Sequence, residues 1–202
     1  MSDIICVTNR KLCSCDFLRR IEEIAACRPG AIILREKDLS ESEYERLAEK
    51  VMRICSEEGV FCILHSFAAA AKKTGAKGLH LPFPLLLKAE ASELLTFEAV
   101  GASCHSAEEA AAAEARGCKY VTAGHVFETD CKAGLAPRGT EFLKNVCQSV
   151  KIPVLAIGGI NSENAWKARR AGAAGICVMS GLMKCENVEK FFTDMEKGGE
   201  MK

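Results

Sequence analysis

Short apolar runs rich in β-branched residues recur along the chain: IICVT (4–8), AIILR (31–35), VFCILH (60–65), GLHL (78–81), AVGAS (99–103), YVTAGHVF (120–127), PVLAIGG (153–159) and GICVMSG (175–181). They are apolar throughout rather than alternating, which is the pattern of strands buried on both faces. Between them lie stretches with helical spacing: FLRRIEEIAAC, SESEYERLAEKVMRICSEEG, SFAAAAKKTG, SAEEAAAAEARG, GTEFLKNVCQSV, NSENAWKARRAG and NVEKFFTDMEKG. Only the segment after HLPFP lacks a clear period.

The punctuation agrees with this reading. Ser40 before Glu43 and Ser106 before Glu109 have capping-box spacing, while Gly59, Gly75, Gly117 and Gly172 stand where helices should stop. Repeated strand–helix–strand units imply a parallel sheet. Eight of them in 202 residues predict one (β/α)8 barrel domain over residues 1–202. A doubly wound open sheet uses the same units but usually fewer strands.

Composition narrows the function classes. Lys plus Arg equals Asp plus Glu at 27 each, so no net basic charge points to nucleic acid or an anionic membrane. No apolar run reaches the ~18 residues needed to cross a bilayer, and MSDIICVTNRK does not read as a signal peptide. The twelve cysteines lack paired spacing and fall at core-like positions such as Cys6, Cys55, Cys62, Cys147 and Cys177. Reduced thiols in a cytoplasmic protein fit that distribution. Cys13 and Cys15 form a CxC with no matching partner pair, so neither zinc nor any other metal or cofactor is expected. A small-molecule ligand and a homo-oligomer are the expected partners.

In a parallel barrel the chemistry gathers at the strand C-termini. Read in order, those ends carry Thr8 and Arg10; Arg35, Glu36 and Lys37; His65; His80; Ser103 and His105; His125, Thr129 and Lys132; Gly158 and Gly159; Ser180 and Gly181. All four histidines fall there, without the accompanying carboxylates a metal cluster would need. AIGGIN and VMSG, at the ends of the seventh and eighth strands, offer amides that an anion can approach closely, and barrels often bind phosphate there. Arg35 continues straight out of AIIL and can clamp an anionic oxygen, although LREKD also reads as a solvated charge run.

On LREKDLSESEYERLAEKVMRICSEEGV, GLHLP, VGASCHSAEEAAAAEARGCKYV, GHVFETDCKAGLAPRG and IPVLAIGGINSENAWKARRAGAAGICVMSG, the chain resembles the thiamin phosphate synthase and thiazole tautomerase superfamily along nearly its whole length. The resemblance implies either of two activities. The synthase joins a pyrimidine diphosphate to a thiazole phosphate and holds magnesium through an Asn-Asp pair after strand three and an Asp after strand four. Here those places read His65-Ser66 and LPFPLLLK, and Ile33 stands where the synthase has a glutamine. The tautomerase, of the TenI type, is similar in GHVFETDCK, where His125 replaces the proline usual in synthases.

The expected activity on this resemblance is the isomerase one. An exocyclic-alkene carboxythiazole phosphate would become the aromatic 2-(2-carboxy-4-methylthiazol-5-yl)ethyl phosphate, with His125 as proton shuttle. Synthase activity is expected to be weak or absent for want of the aspartates. A non-catalytic binding protein is the reading from another class. Arg35 and Lys37 are expected to hold the substrate carboxylate, and Ser103, Thr129, Cys131 and Lys132 to line the thiazole side. Gly158, Gly159, Ser180 and Gly181 are expected to receive the phosphate.

Overall fold

Each strand is apolar on both faces because each face meets a different apolar layer. The computed structural model, which describes residues 2–129 and 134–197, shows eight parallel strands closed into a barrel in sequence order, β1 pairing with both β2 and β8. Closure rules out the open-sheet alternative. The strands are β1 (Ile4–Val7), β2 (Ala31–Leu34), β3 (Cys62–His65), β4 (Gly78–Pro82), β5 (Ala99–Cys104), β6 (Tyr120–Gly124), β7 (Val154–Ile157) and β8 (Gly175–Val178).

Along β1 and β2 the side chains alternate. Ile5, Val7, Ala31 and Ile33 point inward with Ile63, Tyr120 and Cys177, whereas Ile4, Cys6, Ile32 and Leu34 pack outward against helices. The outer layer is built by α1 (Phe17–Ala26), α2 (Glu41–Glu57), α3 (Ala68–Lys73), α4 (Phe83–Lys88), α5 (Ala91–Leu94), α6 (Ala107–Ala115), α7 (Gly139–Ser149), α8 (Ala165–Arg170), α9 (Ser180–Lys184) and α10 (Val188–Lys197). Tyr44, Val51 and Ile54 of α2 and Ile21 and Ile24 of α1 bury against the outside of the barrel.

The helix boundaries follow local chemistry. Ser40 and Glu43 form the full capping box that starts α2. Ser106 caps α6 by accepting from the Glu109 amide, but the Glu109 carboxylate reaches back to the His105 amide instead of completing the box. Gly117 follows α6 at φ 86°, a left-handed position that stops the helix at little steric cost.

Two interior devices matter for the site. Gly101 faces the ring of Tyr120 so closely that any Cβ there would collide with it. On the helix side, the Tyr44 hydroxyl donates to the Leu34 carbonyl at 2.6 Å and accepts from the His65 amide at 2.8 Å. One buried phenol thereby fixes the ends of β2 and β3, the points from which Arg35 and His65 emerge.

Candidate functional site

At the strand C-termini a cavity of about 310 Å³ opens, lined among others by Arg35, Lys37, His65, Ser103, Thr122, His125, Thr129, Gly158, Gly159 and Ser180. That volume suits a small ligand held by a few convergent polar groups. Its floor is the top inward layer of the barrel, where Val7, Ile157 and Cys177 give an apolar base.

The β1–β2 wall is the cationic one. Strand alternation continues past Leu34, so Arg35 and Lys37 face the cavity while Glu36 turns away and is buried. Glu36 accepts from the Thr8 hydroxyl at 2.6 Å, from the Arg10 amide at 3.0 and 3.1 Å, and from the Arg10 guanidinium at 3.2 Å. Thr8 Oγ1 in turn accepts from the Arg35 amide at 2.9 Å. Arg10 reaches outward to grip Asp38 with both terminal nitrogens, at 2.6 and 2.8 Å, and Lys11 joins at 2.9 Å. These hydrogen bonds hold the Asp38 carboxyl well below its usual range and raise that of Arg10. The sequence REKD is thus a strand end whose alternate residues do opposite jobs: Arg35 and Lys37 are presented, and Glu36 ties the segment down.

The β3–β5 wall is neutral. His65 and His80 stack with ring centroids 5.3 Å apart. Ser66, at φ 70°, places its hydroxyl 2.7 Å from His65 Nδ1. Burial, then the neighbouring imidazole and the cations at Arg35 and Lys37, pushes the pKa of His65 down to about 2. Burial with Lys37 and Arg35 nearby pushes that of His80 down to about 3. Both imidazoles are therefore uncharged at neutral pH.

The third wall is backbone. Gly158 and Gly159 have φ 102° and 67°, and both are forced by close passage of the β6 loop. A Cβ on Gly158 would clash with His125, and one on Gly159 with the carbonyl of Glu128. The loop hugs β7 because the Val126 and Phe127 amides still bond to the Ile157 and Gly158 carbonyls. His125 lines the cavity from this loop, with Nε2 3.3 Å from the Leu135 carbonyl. Asn164 holds the other side, donating to the Gly159 carbonyl at 2.8 Å.

Of the residues expected from sequence, Arg35, Lys37, Ser103, His125, Thr129, Gly158, Gly159 and Ser180 all line this cavity. Gly181 does not. It is the second residue of α9, and its missing side chain leaves room for the Phe191 ring, which a Cβ would meet at 2.9 Å. Cys131 and Lys132 lie outside the described residues. Sequence reading missed the structural weight of Thr8 and Glu36, whose partners are distant along the chain, and the lining by Thr122 from within β6.

The profile of the thiamine monophosphate synthase family matches residues 4–182. The chain belongs to that family. It is 39% identical to the thiamine-phosphate synthase of Chlorobium luteolum, over 94% of this chain and 89% of that one. It is 34% identical to that of Fusobacterium nucleatum, over 93% and 92%. A solved thiamine phosphate pyrophosphorylase from Pyrococcus furiosus superimposes with a TM-score of 0.84 at 30% identity, covering 98% of this chain and 95% of that one. Against 3-hexulose-6-phosphate synthase, at 15% identity and a TM-score of 0.73, the likeness is one of fold alone.

These relatives overturn two expectations. The isomerase reading, with synthase activity discounted, rested on departures at β3 and β4, on Ile33 in place of a glutamine, and on one histidine. Relatives matching more than nine-tenths of the chain carry the synthase name instead. In physical terms His125 belongs as much to loop packing as to the cavity, since its Cβ abuts Gly158 and its Nε2 meets Leu135. A histidine so placed does not by itself define a proton shuttle.

Proposed function

We propose that the chain catalyses the synthase reaction of its family, joining a pyrimidine diphosphate to a thiazole phosphate with release of inorganic pyrophosphate. The observation that carries this reading is one cavity with two different anion-directed walls. Arg35 and Lys37 stand on one side, and the strand-seven and strand-eight ends, Gly158, Gly159 and Ser180, on the other. A reaction between two phosphorylated molecules needs both.

The diphosphate lies against Arg35 and Lys37, and the thiazole phosphate against the main chain at Gly158, Gly159 and Ser180. Thr129 and Ser103 flank the reacting rings. As the thiazole ring nitrogen bonds to the pyrimidine methylene and the diphosphate leaves with the electron pair of the bond that breaks, negative charge builds beside Arg35 and Lys37. The Arg35 backbone is already held by Thr8, which Glu36 anchors. The apolar floor of Val7, Ile157 and Cys177 keeps water from competing for that carbon.

Magnesium, which the family resemblance implies, does not fit the residues in place. Among the described residues no group of three or more His, Cys, Asp or Glu is arranged to hold a metal ion. The places at the ends of β3 and β4, His65-Ser66 and LPFPLLLK, supply no carboxylate, whereas Mg²⁺ selects carboxylate, phosphate and water oxygens. Arg35 and Lys37 carry the charge compensation.

The setting is supported by the chemistry of the thiols. The eleven described cysteines are all free, which favours a reducing compartment such as the cytoplasm. No described helix is long and apolar enough to cross a membrane.

Incubation of the purified chain with the pyrimidine diphosphate and the thiazole phosphate, with and without a chelator, tests the reading. Thiamin phosphate and pyrophosphate should form in equal amounts. Saturating binding of both substrates with no product would refute it.

A further inference from the structure

A column of hydrogen bonds climbs the barrel interior to the cavity wall, and the coupling chemistry above uses only its last member, Ser103. The Tyr120 hydroxyl lies 3.0 Å from His80 Nδ1, and His80 Nε2 lies 2.8 Å from Ser103 Oγ. Tyr120 and His80 are buried, while Ser103 is half-buried and lines the cavity. Gly101 makes the arrangement possible, because the Tyr120 ring fills the space a side chain there would need.

Two proton arrangements satisfy those distances. In one, Tyr120 donates to Nδ1, Nε2–H donates to Ser103, and the serine hydrogen is left to point into the cavity. In the other every bond is reversed, and the Tyr120 hydrogen must find another acceptor. Among the described residues the phenol has no second hydrogen-bond partner, and leaving a buried donor unsatisfied is costly. The first arrangement wins. A Ser–His nucleophile pair is excluded on different grounds: a useful general base has a pKa near the working pH, and His80 is held at about 3.

We propose that Tyr120 and His80 are positioning residues that lock the Ser103 hydroxyl as a hydrogen-bond donor toward an anionic oxygen of the bound ligand. The inference rests on the phosphorylated-substrate reading above. It gives the neutral wall a job complementary to that of Arg35 and Lys37: a fixed donor that adds direction without adding charge.

A double-mutant cycle read by calorimetric titration with inorganic pyrophosphate tests it. Ser103→Ala should weaken binding roughly tenfold or more, the range for a bond to a charged group. Tyr120→Phe keeps the ring but frees Nδ1, so it should weaken binding several-fold. Combined, the two should lose no more than Ser103→Ala alone. His80→Gln, whose amide can still donate to Ser103, should stay within about threefold of wild type, while His80→Leu should match Ser103→Ala. This second pair decides the matter if Tyr120→Phe melts early. Wild-type affinity in Tyr120→Phe, multiplicative losses in the double variant, equal losses in the two His80 variants, or no pyrophosphate binding by the wild-type chain would each overturn the proposal. The non-additive pattern in a chain that fails to couple substrates would sustain it and refute only the proposed function.

Discussion

Two walls of the same cavity, built from neighbouring strands of one barrel, solve the problem of placing polar groups near an anion in opposite ways. At the β1–β2 corner, charge is met with charge: Glu36 is buried but accepts from Thr8 and Arg10, and Arg10 goes on to bind Asp38 at the surface. At the β3–β5 wall, His65 and His80 are buried with no carboxylate partner among the described residues and stay neutral. A carboxylate beside the cations would compete with the ligand. Burying Glu36 behind Arg35 and Lys37, and keeping the facing wall neutral, leaves the cavity's positive charge directed at the substrate.

That contrast can be broken from either side. The largest effect is expected for Glu36→Ala, which leaves the buried Thr8 hydroxyl and the Arg10 amide without their acceptor and should cost about 1–3 kcal/mol for each group left unpaired, read by urea unfolding. Asp38→Asn, at the exposed end of the same network, should leave the midpoint nearly unchanged.

The neutral wall should show itself in acid. Folded pKa values of about 2 for His65 and about 3 for His80 lie below the ~6.5 of an unfolded histidine, so the unfolded chain binds more protons between these values. Stability from this source is complete above pH ~6.5 and declines as pH falls towards the folded values, by up to about 1.4 kcal/mol per unit for each histidine. Urea midpoints at pH 7 and pH 5.5 measure it, and His80→Gln should roughly halve the histidine share.

On the cationic wall, Arg35→Ala should weaken pyrophosphate binding about 10- to 100-fold by titration, and Arg35→Lys should recover only part of it. The smallest effect is expected for His125→Asn. Turnover in the coupling reaction should fall only a few-fold, because in this account the imidazole packs a loop and transfers no proton. A loss of 10² or more would restore a role in acid–base catalysis.

Much of the fold was legible because burial on both faces leaves an unbroken apolar run in each strand. The runs even overshot where the backbone does: residues 126–127 read as strand, and their amides do bond to β7 beyond the end of β6. The α4 segment was illegible for a physical reason, since FPLLLK buries Leu86 but exposes Leu85 and Leu87, which erases any helical period. The five residues of α9 are too few to show one. In the site, Arg35 and Lys37 could be read from strand alternation. Glu36 could not, because its partners Thr8 and Arg10 are 28 and 26 residues away. Nor could Tyr120 and His80, which are 40 apart. The activity was misread by giving a few substituted positions more weight than the agreement of the whole chain.

Coupling two phosphorylated substrates requires two phosphate positions in one cavity. A crystal structure of the chain with thiamin phosphate and pyrophosphate tests that most directly. Pyrophosphate should lie within hydrogen-bond distance of Arg35 and Lys37, with the product's phosphate across the cavity at Gly158, Gly159 and Ser180. Finding both anions on one wall, or either of them outside the strand C-termini, would contradict it.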